Sequence, residues 1–455
     1  MRVALCFPRF RYPCGDPPLG VAYLAAVLRE EGVEVDILDS TFWSSPLDKY
    51  GRLFGSRRYD IVGISCMTSM VRDALEVAKA AKGANPRCLV VVGGPHPTVM
   101  PEHVLSSPFV DAVAIGEGER TIIELVRAGG DFTKVPGMAY KEGREVKFTP
   151  PRKPLDNLDE VPFPAWDLLP MSLYLKHWYQ LDAVSFGLKG TNILGSRGCP
   201  FDCTYCQPTL RALFGHRLRK RSPESIVAEL EELRRRYGIQ GFMWLDDTFT
   251  IDRGWVRRVC NALIDADLGL VWGCNVRADF YDPDLLALMK RAGLRVVHIG
   301  IETASQRILD GVYRKGVTVE GAERLVRLAK RMGLKVRGYF MLGAPTETLR
   351  EALSTVWLAV RLPLDDATFS ITTPLPGTHL YRMTRHLIAR PVEEFDYYRE
   401  PVYHSSEVLH PLLLDLVKKW AYLQFYALSP RAFKTIRSFF DRDAFRKLRV
   451  KLKRF

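Results

Sequence analysis

The sequence predicts an α/β protein in two successive parts: a doubly wound, Rossmann-like sheet, then a partial (β/α)6 barrel of the TIM type. A helical, basic region closes the chain. Three observations lead there. Over residues 1–130, short apolar runs alternate with helix-patterned stretches. Six prolines then fall between Pro150 and Pro170, marking an extended connector. From residue 190 the strand–helix alternation resumes and runs through six units. The expected divisions are 1–135, 136–185, 186–380 and 381–455. At 455 residues the chain suits two or three domains, and 47% hydrophobic with 26% charged residues excludes a disordered, collagen-like or repeat protein.

In the first part, Val3–Phe7, Val35–Leu38, Ile61–Ile64, Leu89–Val92 and Ala112–Ile115 read as buried parallel strands. Leu19–Glu31 and Met70–Ala84 carry apolar residues at helical spacing. Doubly wound sheets bind ligands beyond the strand C-termini. The turns Ser65–Ser69, Gly93–Thr98 and Gly116–Glu119 fall there, and their glycines let backbone approach a large ligand. Gly137–Phe148 reads as a small hairpin within the connector. The barrel strands are expected at Asn192–Ser196, Gly241–Leu245, Val271–Cys274, Val296–Gly300, Lys335–Leu342 and Ala367–Thr372. Ser222-Pro223 opens one intervening helix as cap and first-turn proline.

Charge is concentrated at one end. Residues 411–455 hold twelve Lys/Arg against three Asp/Glu, so most of the net +13 belongs to this tail. That pattern points to a local patch facing something acidic rather than a general nucleic-acid surface, and no nucleic-acid recognition module accompanies it. No stretch approaches the ~20 apolar residues of a membrane span. The N-terminal run breaks at Pro8, too short for a signal peptide. The cell interior is therefore the expected location, and clustered cysteines read as metal ligands before disulfides.

The informative cluster is Cys199-Pro200-Phe201-Asp202-Cys203-Thr204-Tyr205-Cys206, in the loop after the first barrel strand. Three thiolates in eight residues suit an iron–sulfur cluster, whereas zinc would want a fourth Cys or His close by. Cys260, on a helix pattern, and Cys274, closing another strand, are not obvious fourth ligands. Three thiolates on a [4Fe–4S] cluster leave one iron open.

This C-x3-C-x2-C loop resembles the radical S-adenosylmethionine (SAM) superfamily. Leu245–Phe249 after the second strand, Gly300–Ser305 after the fourth and Gly338–Glu347 across the fifth extend the likeness. The resemblance implies that Cys199, Cys203 and Cys206 hold the cluster and that SAM meets Tyr205, Phe340, Met341 and Leu342 around its adenine. It also places Asp246 and Glu302 near the methionine amino group and ribose. Both acids have a plainer reading as helix N-caps. Arg277, at a strand end, is a candidate for the SAM carboxylate or else a surface ion-pair partner.

The N-terminal part is similar to the cobalamin domain of B12-dependent radical SAM enzymes, through Asp16–Ala25 and the two glycine turns. The implied cobalamin contacts are Pro18, Leu19, Gly20, Ser65, Met67, Thr68, Gly93, Gly94, His96, Glu117, Gly118 and Glu119. One departure matters: no D-x-H-x-x-G motif supplies a lower cobalt ligand. Whether Met67 or Cys66 faces cobalt stays open.

The resemblance implies radical methylation of an unactivated carbon, with an external one-electron reductant, and a membrane-adjacent tail would suit a hydrophobic, lipid- or tetrapyrrole-like small molecule as substrate. The alternative is carbon–carbon bond formation, cyclisation or rearrangement without methyl transfer. A non-catalytic cobalamin/iron–sulfur sensor is the rival of another class, and the intact cysteine and glycine motifs argue against it. Residues 429–455, with aromatic and aliphatic positions among ten Lys/Arg, are the expected peripheral membrane contact.

Overall fold

In the computed structural model the described residues are 1–431 except 12, 186, 397–400, 404–407 and 430. The chain forms two compact units. The first comprises Met1–Leu173, Pro208–Arg219 and Pro391–Glu394; the second comprises Tyr174–Gln207, Lys220–Arg390 and the rest of the C-terminal region.

The first unit runs β1 (Arg2–Phe7), α1 (Leu19–Glu30), β2 (Glu34–Asp39), α2 (Pro46–Ser56), β3 (Ile61–Ser65), α3 (Val71–Ala84) and β4 (Leu89–Gly93). It continues with α4 (Pro95–Val99), α5 (Pro101–Leu105), β5 (Ala112–Ala114), α6 (Glu119–Arg127), β6 (Met138–Glu142) and β7 (Glu145–Phe148). The sheet order is β2-β1-β3-β4-β5-β6-β7, parallel through β5. Side chains alternate between two cores because strand residues point to opposite faces. Val62, Ile64, Val90 and Val92 pack with Tyr50, Phe54 and Val77 of α2 and α3. Val3, Leu5, Ile61 and Val91 pack with Val21, Leu28, Ile122 and Leu125 of α1 and α6. Burial on both faces is why these strands read as continuous apolar runs.

Two elements differ from the sequence expectation. The hairpin does not stand apart in a connector; β6 pairs antiparallel with β5 and completes the sheet. Met138 and Ala139 are fully buried there, which supplies the apolar contact that a free hairpin lacks. Helix α2 was not expected. Only Tyr50 and Phe54 of its eleven residues are buried, one turn apart, so its apolar stripe is narrow.

Along the chain α7 (Met171–His177) precedes the second sheet, and the short segments β9 (Ser196–Arg197), α8 (Thr209–Phe214) and β10 (Arg219–Lys220) follow its first strand. The second unit is built on β8 (Gly190–Ile193), β11 (Gly241–Trp244), β12 (Val271–Arg277), β13 (Leu294–Glu302), β14 (Lys335–Leu342) and β15 (Asp366–Ile371). All six pair in parallel in chain order, an open barrel wall. Helices α9 (Pro223–Tyr237), α10 (Arg253–Ala266), α11 (Pro283–Arg291), α12 (Gln306–Ile308), α13 (Val319–Arg331) and α14 (Leu349–Arg361) connect them. Ser222 caps α9 by accepting from Ser225 N, and Gly238 ends it at φ 63°. Cys274 lies inside β12 rather than at its end.

Beyond the barrel come α15 (His379–Thr384) and α16 (Pro411–Tyr422). The edge of β15 is not left bare. The Tyr422 hydroxyl accepts from Phe369 N at 3.0 Å, and the Tyr426 hydroxyl accepts from Ala367 N at 3.2 Å. Among the described residues no helix is long and apolar enough to cross a membrane. The expected contact at 429–455 lies almost wholly outside the described residues.

Candidate functional site

In the first unit the strand order β2-β1-β3-β4-β5 reverses direction at β1 and β3, and such a switch point opens a crevice beyond the strand C-termini. Ser65 ends β3, and Gly93 ends β4 beside it. Gly94 holds φ 107°, where a Cβ would meet Cys66 O at 2.9 Å, so this position requires glycine. Cys66 N in turn donates to Gly93 O at 2.8 Å. From Pro95 onward the expected Gly93–Thr98 turn is a short helix, α4, with Gly93 closing β4. A Cβ at Gly118 would meet Leu24 at 3.0 Å, so its tightness serves packing on α1.

Pro18 caps α1 at its N-terminus, with Leu19 buried and Gly20 exposed. Met67 is partly buried against the core shared with α1 and α6. Thr68 Oγ1 lies 3.2 Å from Nδ1 of the buried His96, whose Nε2 is 2.9 Å from His103 Nδ1. His103 Nε2 meets Glu393 at 2.6 Å. Burial, together with His103, holds the His96 imidazole neutral, with its pKa down at about 4. Both ring nitrogens of His96 are therefore engaged within the unit.

The Glu117 carboxylate is committed elsewhere than to a ligand. It is buried against Arg219, 2.8 Å away, and accepts from Leu155 N at 2.9 Å. Glu119 is buried at the start of α6.

In the second unit, residues paired in register share a face. Asn275, Arg277, His298, Gly300 and Tyr339 lie on one face of the sheet, Phe340 and Leu342 on the other. Phe340 stacks on Phe369 at 5.3 Å, so of the expected adenine contacts on β14 only Met341 and the backbone look toward the Arg277 face. His298 Nδ1 lies 3.0 Å from the Tyr339 hydroxyl, giving that face a polar band.

The cysteine loop is clamped at several points. Thr204 N donates to Tyr313 O at 2.9 Å, and Thr204 Oγ1 donates to Val312 O at 2.6 Å. Arg277 is buried, not a surface ion-pair residue. Its guanidinium lies 3.5 Å over the Phe201 ring, donates to Lys315 O at 2.9 Å, pairs with Asp279, and comes within 3.8 Å of Cys203 Sγ. A fixed cation beside thiolates favours their charged form. Burial raises the Cys199 and Cys206 thiols above their usual range, so metal loading at this loop would release protons. Among the described residues no three His, Cys, Asp or Glu side chains converge on one ion position. Three thiolates in eight residues suit a multi-iron cluster, which takes one thiolate per iron, better than a four-ligand zinc site.

Glu302 caps no helix. It sits just after a register shift in β13, at φ 68°, a strained conformation for a non-glycine residue. Its carboxylate pairs with Lys315, which also donates to Gly300 O at 2.7 Å, and it accepts from the Tyr205 hydroxyl at 3.2 Å. Lys315 escaped sequence reading because the pairing depends on left-handed turns at Arg314 and Gly316.

Asp246 is no N-cap either; Asp252 caps α10. Asp246 is wholly buried, accepting from Gly195 N at 2.8 Å and from the Ser196 hydroxyl, so it pins the chain leading to Cys199. Burial pushes its carboxyl up to about 7.

Comparison with known proteins connects both geometries. Residues 16–126 match the B12 binding domain family, and residues 193–359 match the Radical SAM superfamily. The chain is 37% identical to an uncharacterized methyltransferase of Pyrococcus horikoshii, over 94% of this chain and 91% of that one. It is 30% identical to the anaerobic magnesium-protoporphyrin IX monomethyl ester cyclase of Rubrivivax gelatinosus, over 91% and 74% of the two chains. Its fold is similar to that of the radical SAM methyltransferase TsrM from Kitasatospora setae. The TM-score is 0.70 at 21% identity, covering 86% of this chain and 76% of that one.

Proposed function

From the premise that this chain belongs to the cobalamin-dependent radical SAM enzymes, we propose that it transfers a methyl group to an unactivated carbon of a hydrophobic small molecule, lipid- or tetrapyrrole-like. The family's cofactors are a [4Fe–4S] cluster, SAM and cobalamin. When bound, the cluster and SAM supply a hydrogen-abstracting radical and cobalamin carries the methyl group.

The protein's own residues take the following parts in this proposal. Cys199, Cys203 and Cys206 hold the cluster. Arg277 fixes the loop through Phe201 and lends positive charge beside Cys203. Glu302, oriented by Lys315 and Tyr205 at the C-terminal end of β13, receives the SAM amino group or ribose. Met341 and the β14 backbone flank the adenine. Asp246 acts one step back, holding Gly195 and Ser196 so that the cysteine loop starts in place. In the first unit, Ser65, Met67, Thr68, Gly93, Gly94 and His96 border the switch-point crevice for cobalamin, with Pro18, Leu19, Gly20, Gly118 and Glu119 on the adjoining helix starts. An external one-electron reductant completes the requirement.

The observation that carries this reading is the strained, buried Glu302–Lys315–Tyr205 group beside the three-cysteine loop, in a chain 37% identical to a methyltransferase. The relative that acts on a magnesium-protoporphyrin ester supports the hydrophobic substrate class. It also supports a second reading, cyclisation without methyl transfer. The polar band of His298 and Tyr339 favours a substrate with at least one hydrogen-bonding group. Anaerobic incubation with a lipid extract, a one-electron reductant and methyl-deuterated SAM separates the readings by mass spectrometry. Methylation predicts a product carrying the intact trideuteromethyl group. A new product without the label would replace methylation by cyclisation or rearrangement.

A further inference from the structure

Helix α16 has two apolar faces. One, carrying Leu414, Val417 and Ala421, is buried against the second unit. The other carries Leu412, Leu416 and Trp420 at positions i, i+4 and i+8, which helical geometry stacks into one stripe, and Leu423, opening the π-helical turn that follows, comes at i+11. These residues are 71%, 61%, 40% and 45% exposed. Helix α14 packs against α16 and adds Leu349 and Trp357, the latter 56% exposed. A helix needs only one apolar face to hold its place in a fold. A second, with Trp420 among its leucines, is surplus to packing, and clustered exposed apolar side chains mark an interaction surface.

What meets that surface follows from where the chain goes next. Arg431 anchors the chain at the C-terminal end of α14, donating to Val360 O at 3.2 Å and to Leu364 O at 2.9 Å. The described chain ends there, eight residues after Leu423. Residues 429–455 hold ten Lys/Arg against two Asp/Glu. An apolar stripe carrying a tryptophan, followed in sequence by a strongly cationic segment, is the composition that lies in an anionic membrane interface. We propose that the outer face of α16, with Trp357 of α14, is a peripheral docking face for anionic lipid. The residues that enter the interface are Leu412, Leu416, Trp420 and Leu423. The assignment stands independently of the reaction proposed above, because none of these residues belongs to the cofactor sites.

The test uses the full chain with its cluster reconstituted, and vesicles of phosphatidylcholine with or without a quarter phosphatidylglycerol. Sedimentation with the anionic vesicles is expected at low salt, falling as salt rises and weak on neutral vesicles. Leu412→Glu combined with Leu416→Glu should lower binding by at least about tenfold, because charge replaces the inserted side chains. Cluster absorbance should not change, because both positions are solvent-facing. Trp420→Phe should keep sedimentation while losing part of the fluorescence quenching by brominated lipid. Equal sedimentation of the native protein and the double variant would overturn the proposal. So would a wild-type dimer that the double variant dissociates, which would give the face to a second copy instead.

Discussion

Replacing Asp246 by Asn should flatten the pH dependence of stability in the second unit. The carboxyl is fully buried and burial raises it to about 7, against an ordinary value of 3.8. A group whose folded pKa is raised contributes stability that is whole below the unfolded pKa and lost as pH climbs to the folded one. A shift of about three units corresponds to about 4 kcal/mol, of which about 2–3 kcal/mol falls between pH 5 and pH 8. Asparagine keeps the shape: Oδ1 still accepts from Gly195 N, and Nδ2 donates to the Ser196 hydroxyl that now donates to the acid. It carries no charge to bury. Asp247 and Glu347, raised by burial to about 6 and about 7, give slopes of the same sign in both proteins. The difference between wild type and variant is therefore the quantity to read. Denaturant unfolding at the two pH values reports it through Trp244, Trp255 and Trp272, which pack around Phe249 beside this strand. Parallel pH profiles, or a variant less stable at pH 8, would refute the assignment of Asp246 as a buried acid that pins the loop.

Three other outcomes are expected. Lys315→Met should destabilise the protein by about 3–5 kcal/mol by stranding the buried Glu302, and adding Glu302→Gln should recover most of it in the same unfolding assay. Cys199→Ala, Cys203→Ala and Cys206→Ala should each abolish 5′-deoxyadenosine formation. Cys260→Ala and Cys274→Ala, on α10 and within β12, should retain about four irons per chain by iron analysis. Gly94→Ala should weaken cobalamin binding in an absorption titration, because φ 107° costs a side chain about 1–2 kcal/mol and the Cβ presses on Cys66 O.

The parallel strands were legible because burial on both faces leaves them almost wholly apolar, as in Leu89–Gly93. The hairpin Met138–Phe148 was legible as a hairpin but not as sheet, since its partner β5 is only three residues long. The cysteine loop was legible from spacing alone. Its surroundings were not. Arg277 could be placed at a strand end, but its seat over Phe201 depends on how the loop returns. The chain from Thr68 through His96 and His103 to Glu393 joins residues up to 290 positions apart, and no local pattern announces it. Sequence placed Glu302 at a strand end; only the bulge in β13 turns its carboxylate toward Lys315 and Tyr205.

SAM cleavage and cobalamin-borne methyl transfer are proposed to run together in this one chain. Product analysis of the reconstituted full chain, held anaerobically with cobalamin, SAM and a one-electron reductant, tests this. Two nucleoside products are expected: 5′-deoxyadenosine that requires all three loop cysteines, and S-adenosylhomocysteine that requires added cobalamin. A protein with its full complement of iron that makes no 5′-deoxyadenosine, or that makes S-adenosylhomocysteine equally well without cobalamin, would contradict the proposal.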